Sequence, residues 1–342
     1  MSLPAEVPLP RAGEGTEPGE TAESASTARS LPQLLHDNPT VVPFIVLLLA
    51  VGLFSAIVGA RFFHPFNLSL VLQQVTIIAV VGTAQTLIIL TAGIDLSVGT
   101  VLGFAGVIIS LLLQAHVPVS VAIVLTLLVG VAIGMFHAFG VIRLGLPPFI
   151  MTLATLTALR GIGLLMTNGS SISIDNDSFT GFSRGALIGI PNLFWMVIVV
   201  AVPSFVFLHL SRWGRYLFAI GSNREAARLS GVSVNAMLYV AYTLSSTFAA
   251  FAGILTTSRI GIGNATTGQG WELQSIASSV IGGTSLFGAV GSIHGPLLGS
   301  ILLTTINNGA NLLNVNPFWQ LIITGGLIIV IVYFDQLRRR GR

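Results

Sequence analysis

PFIVLLLAVGLFSAIVGA, the stretch from Pro43 to Ala60, is eighteen residues long and carries no charge. As a helix it would cover about 27 Å at ~1.5 Å per residue, close to the roughly 30 Å hydrocarbon core of a bilayer. A helix at a protein surface in water needs a polar face, and this one has none. The reading extends outward to the whole chain, which is 53% hydrophobic and only 8% charged, with a mean hydropathy of +0.89. Soluble domains carry about 25% charged residues. The chain is therefore read as an all-α polytopic membrane protein, and the 20-residue ruler places about 10 transmembrane helices along it. Clear spans fall at roughly 43 to 60, 69 to 91, 119 to 141, 192 to 210, 237 to 257 and 317 to 334. Runs richer in Gly, Ser and Asn, at 98 to 114, 147 to 167, 272 to 287 and 292 to 313, read as helices packed inside the bundle.

Arginine placement orients these spans. All fifteen basic residues are arginine. With the N-terminus inside, ten spans put Arg11, Arg29, Arg143, Arg212, Arg215, Arg224, Arg228, Arg338, Arg339, Arg340 and Arg342 on the cytoplasmic side. Only Arg61, Arg184 and Arg259 fall outside, and Arg160 falls within a span, so the positive-inside rule predicts that both termini are cytoplasmic. Residues 168 to 191 become the longest outer loop and 212 to 235 the longest inner one. The tail, 1 to 40, is rich in Pro and Glu and reads as a disordered cytoplasmic leader ahead of a membrane domain over 41 to 336; 337 to 342 form a basic cytoplasmic tail. Ten spans also divide into two halves of five, an inverted repeat if the unit is duplicated.

Absent residue types narrow the function. Without lysine there is no Walker A loop and no Schiff base. Without cysteine there is no disulfide, thiolate nucleophile or iron–sulfur cluster, and the six histidines lack metal-ligand spacing. No catalytic residue, metal site or cofactor is expected in this chain, and the arginines at span ends point to membrane lipid rather than nucleic acid.

Three polar features stand against the apolar background. GSNREAARLSGV, Gly221 to Val232, reads as a short helix in the inner loop: Ser222 and Glu225 form a capping box, Ala226 and Ala227 favour helix, and Gly231 suits a C-terminal cap. TAGIDLSVG, Thr91 to Gly99, puts Asp95 between two apolar runs. Asp95 is read either as a cap for the next helix through the amides of Ser97 and Val98, as part of a substrate path, or as a fixture of a gate near the cytoplasmic end of its span. Gln85 adds a polar group to the preceding span. Glu272 enters a later span, and Asn307 and Asn311 share one helix face, where amides bond either a polyhydroxylated solute or another helix.

Three stretches, Thr91 to Gly99, Gly214 to Asn235 and Glu272 to Leu313, resemble the permease subunit of ribose-type bacterial ABC importers over roughly 43 to 336. Glu225-Ala226-Ala227 with Gly231 matches the EAA-three-residues-G pattern that docks on the ATP-binding subunit in that family. The resemblance implies a coupling segment formed by Gly221, Glu225, Ala226, Ala227, Arg228 and Gly231. The polar residues Gln85, Asp95, Glu272, Asn307 and Asn311 are read as the candidate substrate path. The resemblance further implies a second permease copy, homodimeric, and an ATPase partner that holds the ATP and magnesium. A periplasmic or lipid-anchored binding protein would deliver a monosaccharide of the ribose, fructose or xylose kind across the bacterial inner membrane. Two other readings stay open, an ABC permease for nucleosides or amino acids and an ion-coupled secondary transporter; few buried charges speak against the latter.

Overall fold

The computed structural model describes residues 41–340, so the expected leader over 1 to 40 and the last two residues lie outside the described residues. Every one of the ten expected spans coincides with a helix. In chain order these are α1 (Val41–Val58), α2 (Pro65–Leu90), α3 (Val98–Gln114), α4 (Val119–Ile142) and α5 (Pro148–Thr167), followed by the outer loop. That loop carries β1 (Ile172–Ser173), α6 (Asp177–Arg184) and a hairpin of β2 (Ala186–Leu187) and β3 (Ile190–Pro191). Then come α7 (Asn192–Phe205), running into a π-turn over Val206–Leu210, and the shorter helices α8 (Arg212–Ser222) and α9 (Arg224–Leu229). The chain closes with α10 (Val234–Ile260), β4 (Ile262–Gly263), α11 (Trp271–Ile281), α12 (His294–Leu312) and α13 (Pro317–Arg340). Helix α13 thus continues through 337 to 340, the start of the expected tail. Among the described residues, six helices are long and apolar enough to cross a membrane: α1, α2, α4, α5, α7 with its π-turn, and α10.

Burial sorts the helices. The hydrophobic window of α2 is 83% buried and that of α10 61%, against 11% for α1, so α2 and α10 form the centre and α1 its periphery. Lipid is as apolar as leucine, so such helices associate by close packing of small residues and by hydrogen bonds rather than by the hydrophobic effect. Helix α10 lies along α4, α3 and α2. At its crossing with α4, a Cβ on Gly134 would sit 2.5 Å from both the Thr243 Cα and the Tyr242 carbonyl oxygen. On its other side a Cβ on Gly253 would meet the Leu102 carbonyl and lie 3.0 Å from the Ala105 Cβ. Helices α2, α11 and α12 meet in the same manner, where Gly82 and Gly299 face Ser278, and Ser279 Oγ donates to the Gly82 carbonyl (2.9 Å).

One helix is clearly shorter than the span count supposed. Helix α11 has 11 residues, about 16 Å at ~1.5 Å per residue, roughly half a bilayer core. It ends at Ile281 instead of 287 because Gly283 takes a left-handed φ of +96°, its N–H donating to Val280 O (2.9 Å) while the Thr284 N–H reaches Ser279 O (3.0 Å). That is a Schellman stop, which an apolar count passes over because Leu286 and Phe287 follow it. Before α11, the irregular segment 261–270 folds back along α3, where Gly103 abuts the Thr267 carbonyl and a Cβ on Gly268 would lie 2.5 Å from the Gly99 carbonyl. Irregular backbone beside membrane helices is tolerated only where protein surrounds it. The π-turn has its own cause: Pro203 inside α7 removes a helix donor one turn ahead of it.

Because nothing can move aside at Gly134, Gly134→Ala is expected to destabilise the protein by about 1–3 kcal/mol, the usual cost of overpacking. Gly161, with no atom within 4 Å of an added Cβ, is the control. Gly161→Ala should hold or raise stability by up to about 1 kcal/mol. Thermal unfolding in one detergent compares the pair, and equal midpoints would contradict the packing account.

Candidate functional site

The segment 211–233 is more ordered than its length suggests. Ser211 caps α8, accepting from the N–H groups of Trp213 (3.1 Å) and Gly214 (3.3 Å). Helix α8 then runs through Ser222, which makes Ser222 the last residue of one helix rather than the cap of the next. The capping box expected for Ser222 and Glu225 is replaced by Asn223, whose extended backbone separates the two helices and whose Oδ1 accepts from Ala226 N–H (2.9 Å). Glu225 is thereby free to pair with Arg228, Nη2 to Oε1 at 2.6 Å and Nε to Oε2 at 3.0 Å, a two-pronged contact. The Arg228 guanidinium holds the Glu225 carboxyl below its usual range. The sign follows: the pair contributes above the ordinary carboxylate pKa of about 4.3 and is lost only as pH falls through the lowered value. Gly231, at φ +82°, closes α9 with a second Schellman stop, Gly231 N–H to Arg228 O and Val232 N–H to Ala227 O, both 3.0 Å.

Helix α9 is thus a rigid two-sided element. Ala227 is buried in a cluster with Leu217, Ile220 and Val234, while Ala226, Glu225, Arg228 and Leu229 face outward, Leu229 being 73% exposed. Trp213, beneath the Arg212 guanidinium at 4.9 Å, is exposed on α8. Sequence reading did not single out Leu229 and Trp213, since an apolar residue in an apolar chain carries no signal until its exposure is known. Gly221 lies at the far end of α8, with the Leu90 carbonyl where a side chain would be.

The other polar centre is the break between α2 and α3. Asp95 is fully buried. Its Oδ1 accepts from Ser97 N–H (2.9 Å) and Ser97 O–H (2.6 Å), and its Oδ2 from Ser245 O–H on α10 (3.0 Å). Gln85, with its amide assigned to satisfy both groups, donates to the Asp95 carbonyl (2.9 Å) and accepts from the Asp95 N–H (3.3 Å). Thr152 of α5 accepts from Leu96 N–H (3.1 Å). Gln85 and Asp95 are therefore brought together, and Ser245 and Thr152, two hydroxyls among many, complete the set.

The remaining expected site residues stand apart from this break. Glu272 is half-buried at the start of α11: its Oε1 accepts from Gly270 N–H (3.3 Å), and its Oε2 is buried without a partner, 2.5 Å from where a Cβ on Gly99 would be. Asn307 is half-buried, and Asn311 accepts from Gln320 Nε2 of α13 (2.7 Å). The buried amide on α12 is Asn308, which exchanges bonds of 2.7 and 3.0 Å with Asn67 of α2. Three asparagines in five residues announce a polar face, but spacing alone favoured Asn307 and Asn311 over Asn308.

Residues 67–332 match the family described as "Branched-chain amino acid transport system / permease component". The chain is 38% identical over 329 residues to the fructose import permease of Rhizobium meliloti, covering 93% of this chain and 91% of that protein. It is 36% identical to the ribose import permease of Escherichia coli K12 (89% and 95% covered) and 35% identical to the D-allose transport permease of the same organism (86% and 90%). No solved structure matches.

The bonds around Asp95 predict how its variants behave. Asp95→Asn keeps one carbonyl acceptor for Ser97 and should stay within about 1 kcal/mol of the parent, since Asn and Asp serve helix starts comparably. Asp95→Leu strands Ser97 and Ser245 and should cost about 1–3 kcal/mol. Thermal unfolding measures both. If Asp95→Asn unfolds as the parent does yet loses uptake, the carboxylate serves transport and not only the helix start.

Proposed function

We propose the function from one premise, that the chain belongs to the family of transport-system permease components. The chain is the transmembrane subunit of an ATP-driven importer, and its solute is a monosaccharide. The relatives that support this carry names for fructose, ribose and D-allose, and each aligns with at least 86% of this chain, so the likeness spans the whole bundle and not one motif. The family description mentions branched-chain amino acids, which keeps that solute class as the competing reading.

The single observation that carries the coupling role is α9. It is a short helix closed at both ends by hydrogen bonds, seated on the core through Ala227, with a paired Glu225 and Arg228 facing away from the bundle. We assign Glu225, Ala226, Ala227, Arg228 and Gly231 to docking on a separate ATPase, which holds the ATP and magnesium, while Gly221, packed on the Leu90 carbonyl, ties this segment to the bundle. A lysine-free chain carries no P-loop of its own. A second copy of this chain would complete the path, and a periplasmic or lipid-anchored binding protein would load it from outside. Both termini would then be cytoplasmic in a bacterial inner membrane. ATP-driven approach of two such helices can rock the bundles between outward-open and inward-open states, because a rigid helix passes force where a slack loop would absorb it. Of the expected path residues, Glu272 and Asn307 are the better supported, being only half-buried. Gln85, Asp95 and Asn311 already bond within the protein.

Two substitutions test the assignment. Glu225→Arg replaces the ion pair with repulsion at i,i+3. Gly231→Pro removes an N–H that bonds Arg228 O and forbids φ +82°. Each variant should insert normally, lose the co-purifying ATPase in mild detergent and reduce uptake at least tenfold. Normal uptake by both would refute the coupling role, and a competition panel of D-ribose, D-fructose, D-allose, leucine and a nucleoside separates the solute classes.

A further inference from the structure

Three stretches of backbone meet at the inner end of the bundle with no side chain between them. A Cβ on Gly221, at the end of α8, would coincide with the Leu90 carbonyl at the end of α2 and lie 2.6 Å from the Ala289 nitrogen. Ala289 N–H in turn donates to that same Leu90 carbonyl (3.1 Å). A Cβ on Gly288 would lie 3.0 Å from both Ala92 N and the Gly221 carbonyl, and 3.1 Å from the Ala92 Cβ. The contact also holds unusual backbone: Ala92 (φ +58°), Gly288 (φ +87°) and Ala289 (φ +61°) are all left-handed, a state that alanine keeps only where its surroundings over-determine it.

From this knot the connection runs on. Ala92 leads into the break whose Asp95 is bonded to Gln85 of α2 and Ser245 of α10. Gly288 and Ala289 lie in the turn between α11 and α12. We propose that α8 and α9, the 91–97 break and the 283–293 turn form one rigid body during transport, keyed together at Gly221 and Gly288, so that the inner gate opens elsewhere in the molecule. The inference rests on α9 being the coupling element and goes beyond it, because it names what the coupling element carries. Gly221 and Gly288 act as positioning residues: backbone packed on backbone has no rotamers through which a displacement could be lost.

The cysteine-free chain lends itself to the test. In the full complex with its ATPase and binding protein, Ala92→Cys with Gly288→Cys places two Cβ atoms close to disulfide spacing, about 3.5–4.5 Å. Uptake of a mixture of labelled D-ribose, D-fructose and D-allose is measured before and after oxidation, with ATP hydrolysis by the same complex as a readout independent of the solute. The disulfide should form readily, and the oxidised protein should keep at least half the uptake of its own reduced form. Uptake that falls tenfold on oxidation and returns on reduction would overturn the proposal, as would failure of the pair to crosslink. Gly221→Ala is the second variant and decides the matter if the cysteine pair does not insert. It should leave the ATPase bound while sugar carried per ATP hydrolysed falls at least tenfold, and an unchanged ratio would overturn the keying. Wild-type complex that hydrolyses ATP but takes up none of these sugars would instead count against the monosaccharide reading and leave the keying to the hydrolysis data.

Discussion

A helix that stops beside lipid leaves backbone groups open where water cannot fill them, each costing several kcal/mol if unmet. Helices α2 and α3 break over 91–97, and that break is the constraint around which the inner half of the molecule is arranged. Gln85 bonds both backbone groups of Asp95, Thr152 takes the Leu96 N–H, and the Asp95 carboxylate takes the Ser97 N–H. The partners that other helices supply to the break come from α2 (Gln85), α5 (Thr152) and α10 (Ser245), so closing it also fixes how those helices pack. The neutral hydroxyl and amide set does this without a buried ion pair, whose desolvation would cost several kcal/mol per ion.

Helix α9 solves the opposite problem. It stands outside the bundle and must be stiff without a core of its own, and six residues of helix are too few for intrinsic propensity to hold. Asn223 fixes its start and Gly231 its end, and one alanine methyl, Ala227, seats it. The small size of that seat matters, since Ala227 approaches Leu217 and Ile220 closely and leaves the polar face unobstructed. Gly283 ends α11 by the same stop that Gly231 supplies for α9, so two segments of the inner face are terminated by left-handed glycines.

Much of the fold was legible because apolar runs of bilayer length have few alternatives, and each expected span has its helix. Legibility failed where hydrogen bonding overrides composition. Leu286 and Phe287 look like more helix, but Gly283 has already turned the chain. Ser222 looks like a cap, but α8 consumes it and Asn223, one residue on, takes the role. At the candidate sites the residue types were visible and their partners were not. Asp95 stands out in any reading of the sequence, whereas Ser245 and Thr152 are two hydroxyls in a chain full of them. The face on which Asn308 meets Asn67, 241 residues apart, depends on a register that no local spacing reveals.

The outer hairpin between β2 and β3 shows where the molecule is free of these constraints. Ile188 at its tip is 84% exposed in a left-handed turn, and an added Cβ on neighbouring Gly189 would touch nothing. Turns of this hand favour Asn or Gly, and a branched side chain there is retained against local preference. Lengthening such a loop costs only about 0.6 kcal/mol per doubling. This loop can therefore lengthen by insertion while the spans beside it stay unchanged, a latitude that the contact of Gly221, Gly288 and Ala92, packed backbone on backbone, does not share.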